Sequence, residues 1–140
     1  MKYKEIIGGT KAEAEKKFPW LRKAGFYDAV IDITHTFLTW HGGTWFDGTW
    51  EGGTWESGTW QGGYWKGGTW QGGTWEGGYW ESGTWQGGYW ESGTWLDGTW
   101  QGGTWKGGSM WSNIRQRYIK VVQNDGKFIE RPSRAEVKTR

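Results

Sequence analysis

The chain of 140 residues contains no cysteine, only two prolines and few aliphatic side chains. Without cysteine, neither a disulfide framework nor a thiolate metal site can form. Because leucine, isoleucine, valine and phenylalanine are scarce, a conventional aliphatic core is excluded as well. No apolar run is long enough for a signal peptide or a membrane span, so we expect a soluble protein made in the cytoplasm.

Glycine and tryptophan are present instead, with 27 and 16 copies. From residue 41 to residue 110 one pentad is written fourteen times, with glycine in every third place and tryptophan in every fifth place except the last, Met110. A fixed short period indicates one structural unit stacked on copies of itself, because no five-residue unit can bury its own apolar side chain. The predicted structural core is therefore made of indole rings: Trp45, Trp50, Trp55, Trp60, Trp65, Trp70, Trp75, Trp80, Trp85, Trp90, Trp95, Trp100 and Trp105.

Composition divides the chain into three parts. We predict an N-terminal cap over residues 1–40, the repeat array over 41–110, and a C-terminal hairpin cap with a basic tail over 111–140. Their formal net charges are +2, −5 and +5. An acidic array that ends in a basic segment describes the protein better than its overall charge of +2 does.

Both flanks carry signals of regular structure. Thr10 and Glu13 form a capping box at the start of a helix, and Pro19 ends or kinks that helix. The β-branched stretch 27–34 predicts a strand that leads into the array. After the array, two β-rich segments flank Asn124-Asp125-Gly126, which predicts a hairpin because these turn residues tolerate positive φ.

Each pentad reads as a short strand followed by a corner. In Thr54-Trp55-Glu56 the polar, apolar, polar order places the indole on one face, and the following small residues allow a sharp turn. Right-angle corners would give a β-solenoid with four pentads, about 20 residues, per coil. Reversing corners would instead give an antiparallel β-meander with one tryptophan face. We favour the solenoid, because the meander exposes an apolar surface larger than soluble monomers usually show.

The pentad is similar to that of the pentapeptide-repeat family, whose right-handed square solenoids place a large apolar residue inward at the repeat centre and a small one inward two positions earlier. Trp55 and Gly53, and likewise Trp75 and Gly73, take those places here. The tandem Gly-Thr-Trp pentads also resemble those of phage and bacterial proteins. The resemblance covers half of the chain and implies an all-β fold: a short right-handed β-solenoid between a small α/β cap and a β-hairpin cap.

Chemistry-bearing residues are sparse, and we expect a protein that is not an enzyme. His35, His41 and Asp32 offer too few ligands, at spacings that match no metal site. The glutamates that follow tryptophan, such as Glu51 and Glu76, are typical of a solvated face and not of a catalytic pair. We therefore expect no catalytic residue, no cofactor and no metal.

We expect the ends of the array, and not its sides, to bind partners. The sides are monotonous, whereas the C-terminal flank holds a basic excess. The candidate partner-binding residues are Arg115, Arg117, Lys120, Arg131, Arg134, Lys138 and Arg140. We expect these residues to bind another protein, a further copy of the chain, or nucleic acid, and we expect no binding to a membrane.

The function that we favour most is that of a rigid structural or assembly module. The resemblance of the pentads to those of phage proteins implies that this module is part of a phage particle. One alternative is inhibition of a DNA-binding enzyme such as gyrase, in which the glutamates imitate a nucleic-acid backbone, as the resemblance implies. Another is carbohydrate binding through exposed tyrosine and tryptophan. The threonine column from Thr44 to Thr104 suggests ice binding, but Tyr64, Tyr79 and Tyr89 interrupt it.

Overall fold

The computed structural model of the protein describes residues 1–131. It is a mostly β structure in which a β-solenoid of about five turns lies between a short helical N-terminal region and antiparallel C-terminal strands. The fold class predicted from the pentad is therefore confirmed. The boundaries expected at residues 40 and 110 stay predictions, and Trp40 is already part of the solenoid core.

The N-terminal region contains strands β1 (Tyr3–Ile7) and β2 (Gly25–Asp32) and helices α1 (Lys11–Lys17) and α2 (Trp20–Lys23). The array begins with β3 (Thr39–Asp47), and the C-terminal strands are β16 (Ser109–Ser112), β17 (Arg117–Asn124) and β18 (Lys127–Glu130). Between them lie twelve two-residue strands, β4 to β15: Thr49–Trp50, Thr54–Trp55, Thr59–Trp60, Tyr64–Trp65, Thr69–Trp70, Thr74–Trp75, Tyr79–Trp80, Thr84–Trp85, Tyr89–Trp90, Thr94–Trp95, Thr99–Trp100 and Thr104–Trp105. No helix in the described range 1–131 is long and apolar enough to cross a membrane.

Each coil has three sides and about 15 residues. Trp55 pairs in parallel with Trp40 below it and with Trp70 above it. The expectation of about 20 residues per coil, which would have placed Trp55 under Trp75, is therefore wrong. The antiparallel meander is wrong too, because the pentad strands pair in parallel with strands three pentads away.

The core consists of three columns of aromatic side chains. Indoles 15 residues apart stack with centroids 4.7–5.0 Å apart and planes within 4–8°. Indoles five residues apart meet edge to face at 5.7–6.0 Å. Both arrangements suit the aromatic quadrupole, and three indoles per coil already fill the interior. The first column is Trp40, Trp55, Trp70, Trp85 and Trp100; the second is Trp45, Trp60, Trp75, Trp90 and Trp105; the third is Trp50, Trp65, Trp80, Trp95 and Met110.

The glycine in the third place of each pentad makes the sharp corner. Gly73 has φ of +105°, and a Cβ there would lie 2.3 Å from the carbonyl oxygen of Gly58 in the coil below. Only glycine adopts this conformation without strain at such a close approach. The resemblance assigned Gly73 to an inward position beside the indole. In the structure, a side chain at Gly73 is excluded by the backbone of the coil below.

Backbone hydrogen bonds link the coils at a constant offset of 16 residues. The amide of Thr69 donates to the carbonyl of Gly53 at 2.9 Å, and the amide of Gln71 donates to that of Trp55 at 2.7 Å. The same two bonds recur on every side up to the last coil. The solenoid is therefore held by a continuous ladder in addition to its aromatic core.

The N-terminal region covers the first coil. The capping box of Thr10 and Glu13 is confirmed, and β2 runs antiparallel to β3 as the predicted strand. Phe26 on β2 stacks on Trp45 at 5.6 Å and meets Trp40 edge-on, while Trp20 on α2 packs against Trp50 at 5.1 Å. Aromatic side chains of the cap thus take the place of a preceding coil.

Candidate partner-binding surface at the C-terminal end

The solenoid ends because the chain stops turning after Met110. Met110 pairs with Trp95 in the third column, and β16 then continues straight through Trp111 and Ser112. Fifteen residues earlier, Gly98 turns the corner with φ of +125°, whereas the corresponding residue here is Asn113, whose φ is not positive. Without a glycine at this position the chain leaves the coil and returns as the antiparallel strand β17.

The predicted hairpin is confirmed and covers the last coil. β17 and β18 pair antiparallel around Asp125 and Gly126, both with positive φ. Phe128 on β18 meets Trp100 and Trp105 edge-on, each at 5.2 Å. The hairpin therefore covers the upper ends of the first and second indole columns.

On the second side, the side chain of Gln123 forms the hydrogen bonds that the backbone of a further coil would otherwise form. Its Oε1 accepts the Trp105 amide at 3.0 Å, and its Nε2 donates to the Gly103 carbonyl at 3.2 Å. The Trp105 indole nitrogen donates to the carbonyl of Val121 at 3.2 Å. Polar groups that would otherwise end a ladder unpaired are thus satisfied.

Four of the seven candidate basic residues lie in the described part of the chain. Arg115 pairs with Glu130 at 3.0 Å, and Arg117 reaches the other oxygen of this carboxylate at 3.8 Å. Lys120 and Arg131 are exposed and form no ion pair within residues 1–131. Arg134, Lys138 and Arg140 lie outside the described residues. Lys127 on β18 is also exposed without an ion pair in this range, so the hairpin presents three unpaired cations beside the ion pairs of Glu130.

An aromatic strip, defined as Tyr64, Tyr79, Tyr118 and Trp111, follows the third side up to the cap. The rings of Tyr64 and Tyr79 stack at 4.9 Å, and the Tyr79 and Tyr118 hydroxyls are 2.7 Å apart. The Trp111 ring meets Tyr118 edge-on at 5.1 Å. The Tyr64 hydroxyl donates to Glu81, which raises the pKa of Tyr64. Burial and the bond with Tyr118 raise the pKa of Tyr79.

The predicted carboxylates do not form a continuous acidic surface. Residues 15 apart share a corner of the solenoid, so Lys66 lies between Glu51 and Glu81 on one corner. Glu56 on another corner lies 2.6 Å from the Nδ1 atom of His41. The array therefore presents mixed charges on its corners.

The threonines divide unequally among the three sides. Tyr64 and Tyr79 lie on the third side and Tyr89 on the second. The first side carries an uninterrupted column of Thr39, Thr54, Thr69, Thr84 and Thr99. The interruption inferred from the sequence therefore does not apply to that side.

Two of the three residues considered for a metal site contact other side chains or backbone groups. Asp32 accepts from the amide and hydroxyl of Thr34, which lowers the pKa of Asp32, and His41 contacts Glu56. Within the range 1–131, no group of three or more His, Asp or Glu side chains could hold a metal ion.

Sequence reasoning missed the aromatic strip and the role of Gln123. The strip left a signal, because Tyr64 and Tyr79 are 15 residues apart in the printed sequence. Gln123 left none, since an isolated glutamine in a strand indicates no backbone cap.

No protein-family model, curated protein or solved structure matches this chain.

Proposed function

We propose that this protein is a rigid, non-enzymatic assembly module that attaches to a protein partner through its C-terminal cap. The observation that carries the proposal is the division of its surface. The core tryptophans from Trp40 to Trp90 are fully buried, so the array uses its large apolar side chains internally. Specific attachment then requires the irregular caps, where most of the exposed large apolar side chains of the described chain lie.

The C-terminal cap supplies the side chains for such a surface. Ile114, at the tip of the β16–β17 hairpin, is 95% exposed, and Ile129 and Tyr118 are also exposed. Lys120 on β17 and Arg131, directly after β18, add positive charge to the same cap. A partner with an apolar patch and an acidic rim would match this surface, because interfaces combine an apolar centre with a polar rim.

The assembly that we have in mind is a phage particle or a similar complex, and this part of the proposal depends on the resemblance of the pentads. Mimicry of a nucleic-acid backbone has less support, since Lys66 separates Glu51 from Glu81 and His41 contacts Glu56. Carbohydrate binding has the support of the aromatic strip, whose tyrosines lie along one side of the solenoid.

The test compares capture of partners from native lysate by three variants. The first reverses charge on the C-terminal cap with Lys120→Glu and Arg131→Glu, and the second removes the exposed apolar side chain of the β16–β17 turn with Ile114→Ser. A control carries Gln71→Glu and Gln86→Glu on a corner of the array. We expect both cap variants to lose a band that the control retains, with circular dichroism unchanged. Loss of the band with the control alone would move the binding surface to the sides.

A further inference from the structure

A notch of about 560 Å³ opens on a corner of the solenoid where β16 leaves the coil. Because the chain reverses direction in the turn 113–116 instead of bending around the corner above Asp97 and Gly98, no coil within residues 1–131 covers this corner. The volume is in the range of pockets that hold small molecules. The notch is thus a direct consequence of the missing corner glycine.

The walls of the notch combine an apolar surface with two carboxylates. Leu96, Met110 and Trp111 supply the apolar part, and Glu81 and Asp97 supply the charges. Among residues 1–131, no lysine or arginine lines it. Lys66, one coil below Glu81 on the same corner, is exposed and forms no ion pair with Glu81 in the described chain.

Both carboxylates are already oriented by other groups. Glu81 accepts the Tyr64 hydroxyl through Oε1, and Asp97 accepts the Gly98 amide through Oδ1 at 2.8 Å. The second oxygen of each, Oε2 and Oδ2, has no hydrogen bond within residues 1–131. Each carboxylate is therefore held in place through one oxygen and has its second oxygen available to accept a hydrogen bond from a ligand.

The repeat also departs from its consensus at this place. Apolar residues follow tryptophan at only two of the fourteen pentad positions, Phe46 and Leu96, and aspartate precedes the corner glycine only at Asp47 and Asp97. Phe46 and Asp47 adjoin Gly25 of the N-terminal cap, which explains them. Leu96 and Asp97 lie instead beside Trp111 in the notch.

We propose that the notch binds an alkylammonium group carried on an apolar body. The ammonium charge complements Glu81 and Asp97, and an indole at the wall favours cations and methyl groups. The group could belong to a free quaternary amine or to a lysine side chain of a peptide. Two negative charges with no lining cation among the described residues favour this class over a neutral saccharide.

Titration calorimetry and NMR of the Trp111 indole proton provide the test. The probes are choline, the blocked peptide acetyl-Gly-Lys-Gly-amide, and 3,3-dimethylbutan-1-ol, which is the uncharged isostere of choline. We expect a cation to bind about fivefold or more tightly than the isostere, and binding to weaken as NaCl is raised. Tighter binding of choline indicates a free amine, and tighter binding of the peptide indicates a lysine side chain.

Variants with matched controls locate the site. Glu81→Gln and Asp97→Asn should each weaken cation binding about fivefold or more, because they remove the charge and keep an amide oxygen as acceptor. Glu51→Gln, on the same corner two coils below, and Asp47→Asn, at the other Asp-Gly corner, should leave binding unchanged. Melting temperature and near-ultraviolet circular dichroism check that each variant is folded.

Three outcomes would overturn the proposal. The first is equal binding of choline and its isostere, and the second is the absence of binding by both cationic probes. The third is binding of the saccharide cellobiose that persists at high salt and in Asp97→Asn, which would assign the notch to sugars.

Discussion

The amide of Trp105, in the last coil, donates to the side-chain oxygen of Gln123 at 3.0 Å. In the lower coils, the backbone of the following coil occupies this position. The same glutamine donates to the carbonyl of Gly103 at 3.2 Å. One side chain therefore satisfies two ladder groups at an edge that would otherwise remain open to another strand.

Replacing Gln123 by alanine should lower the free energy of unfolding by about 1–2 kcal/mol, because a donor and an acceptor lose their protein partners. Gln123→Glu keeps the acceptor for Trp105 and should cost less. The control is Lys120→Ala on the exposed face of the same strand, which should stay within about 0.5 kcal/mol. Urea unfolding measures the stabilities, and faster hydrogen exchange at the Trp105 amide in Gln123→Ala would identify the cause. Equal effects of the alanine variants would contradict the capping role.

The corner glycines should differ in their tolerance of a methyl group. Gly53 has φ of +108° and its Cβ would lie 2.3 Å from the Leu38 carbonyl oxygen, whereas a Cβ on Gly52 meets nothing within 4 Å. We expect Gly53→Ala to destabilise the fold by about 2 kcal/mol or more and Gly52→Ala by less than about 0.5 kcal/mol. Thermal melts of the two neighbouring variants test this, and a tolerated Gly53→Ala would contradict the close approach of the coils.

The three-sided coil predicts which tryptophans are energetically coupled. Trp55 and Trp70 stack at 4.8 Å, while Trp75, at the distance that a four-sided coil would require, stacks on Trp60. A double-mutant cycle with Trp55→Phe and Trp70→Phe should give a coupling of about 0.5–1.5 kcal/mol. The matched cycle with Trp55→Phe and Trp75→Phe should give a coupling near zero. The reverse order of the two couplings would restore the four-sided coil.

Tyr3 should make stability fall at alkaline pH. Burial and a hydrogen bond of 2.9 Å to Glu15 raise its pKa in the folded state. Above about pH 10 the unfolded chain loses the phenolic proton while the folded chain keeps it, so the unfolded state is favoured as pH rises toward the folded pKa. The stability difference between wild type and Tyr3→Phe should therefore shrink above about pH 10. A difference that is constant from neutral to alkaline pH would contradict the raised pKa.

Local features of the chain were predictable from the sequence. The order of polar and apolar residues in Thr54-Trp55-Glu56 indicated a two-faced strand, and the capping box of Thr10 and the turn at Asn124-Asp125-Gly126 indicated the helix and the hairpin. These signals depend on neighbours within a few residues, so they survive whatever the rest of the chain does.

The number of sides per coil was decided by the tertiary structure. A pentad is compatible with three or four corners per turn, and the choice depends on how sharply the glycines turn and on how many indoles fill the interior together. One clue was present, since Gln71, Gln86 and Gln101 recur every 15 residues, but a short run of equal residues is weak evidence in a repeat built from few residue types.

The sequence by itself thus determined an indole-cored solenoid with structured caps, because periodicity and turn chemistry are local properties. The tertiary structure decided which residues share a column, how Gln123 ends the ladder, and where the notch beside Asp97 opens. Each of these depends on residues 15 or more positions apart meeting in space, and their contact is fixed only when the coil closes on itself.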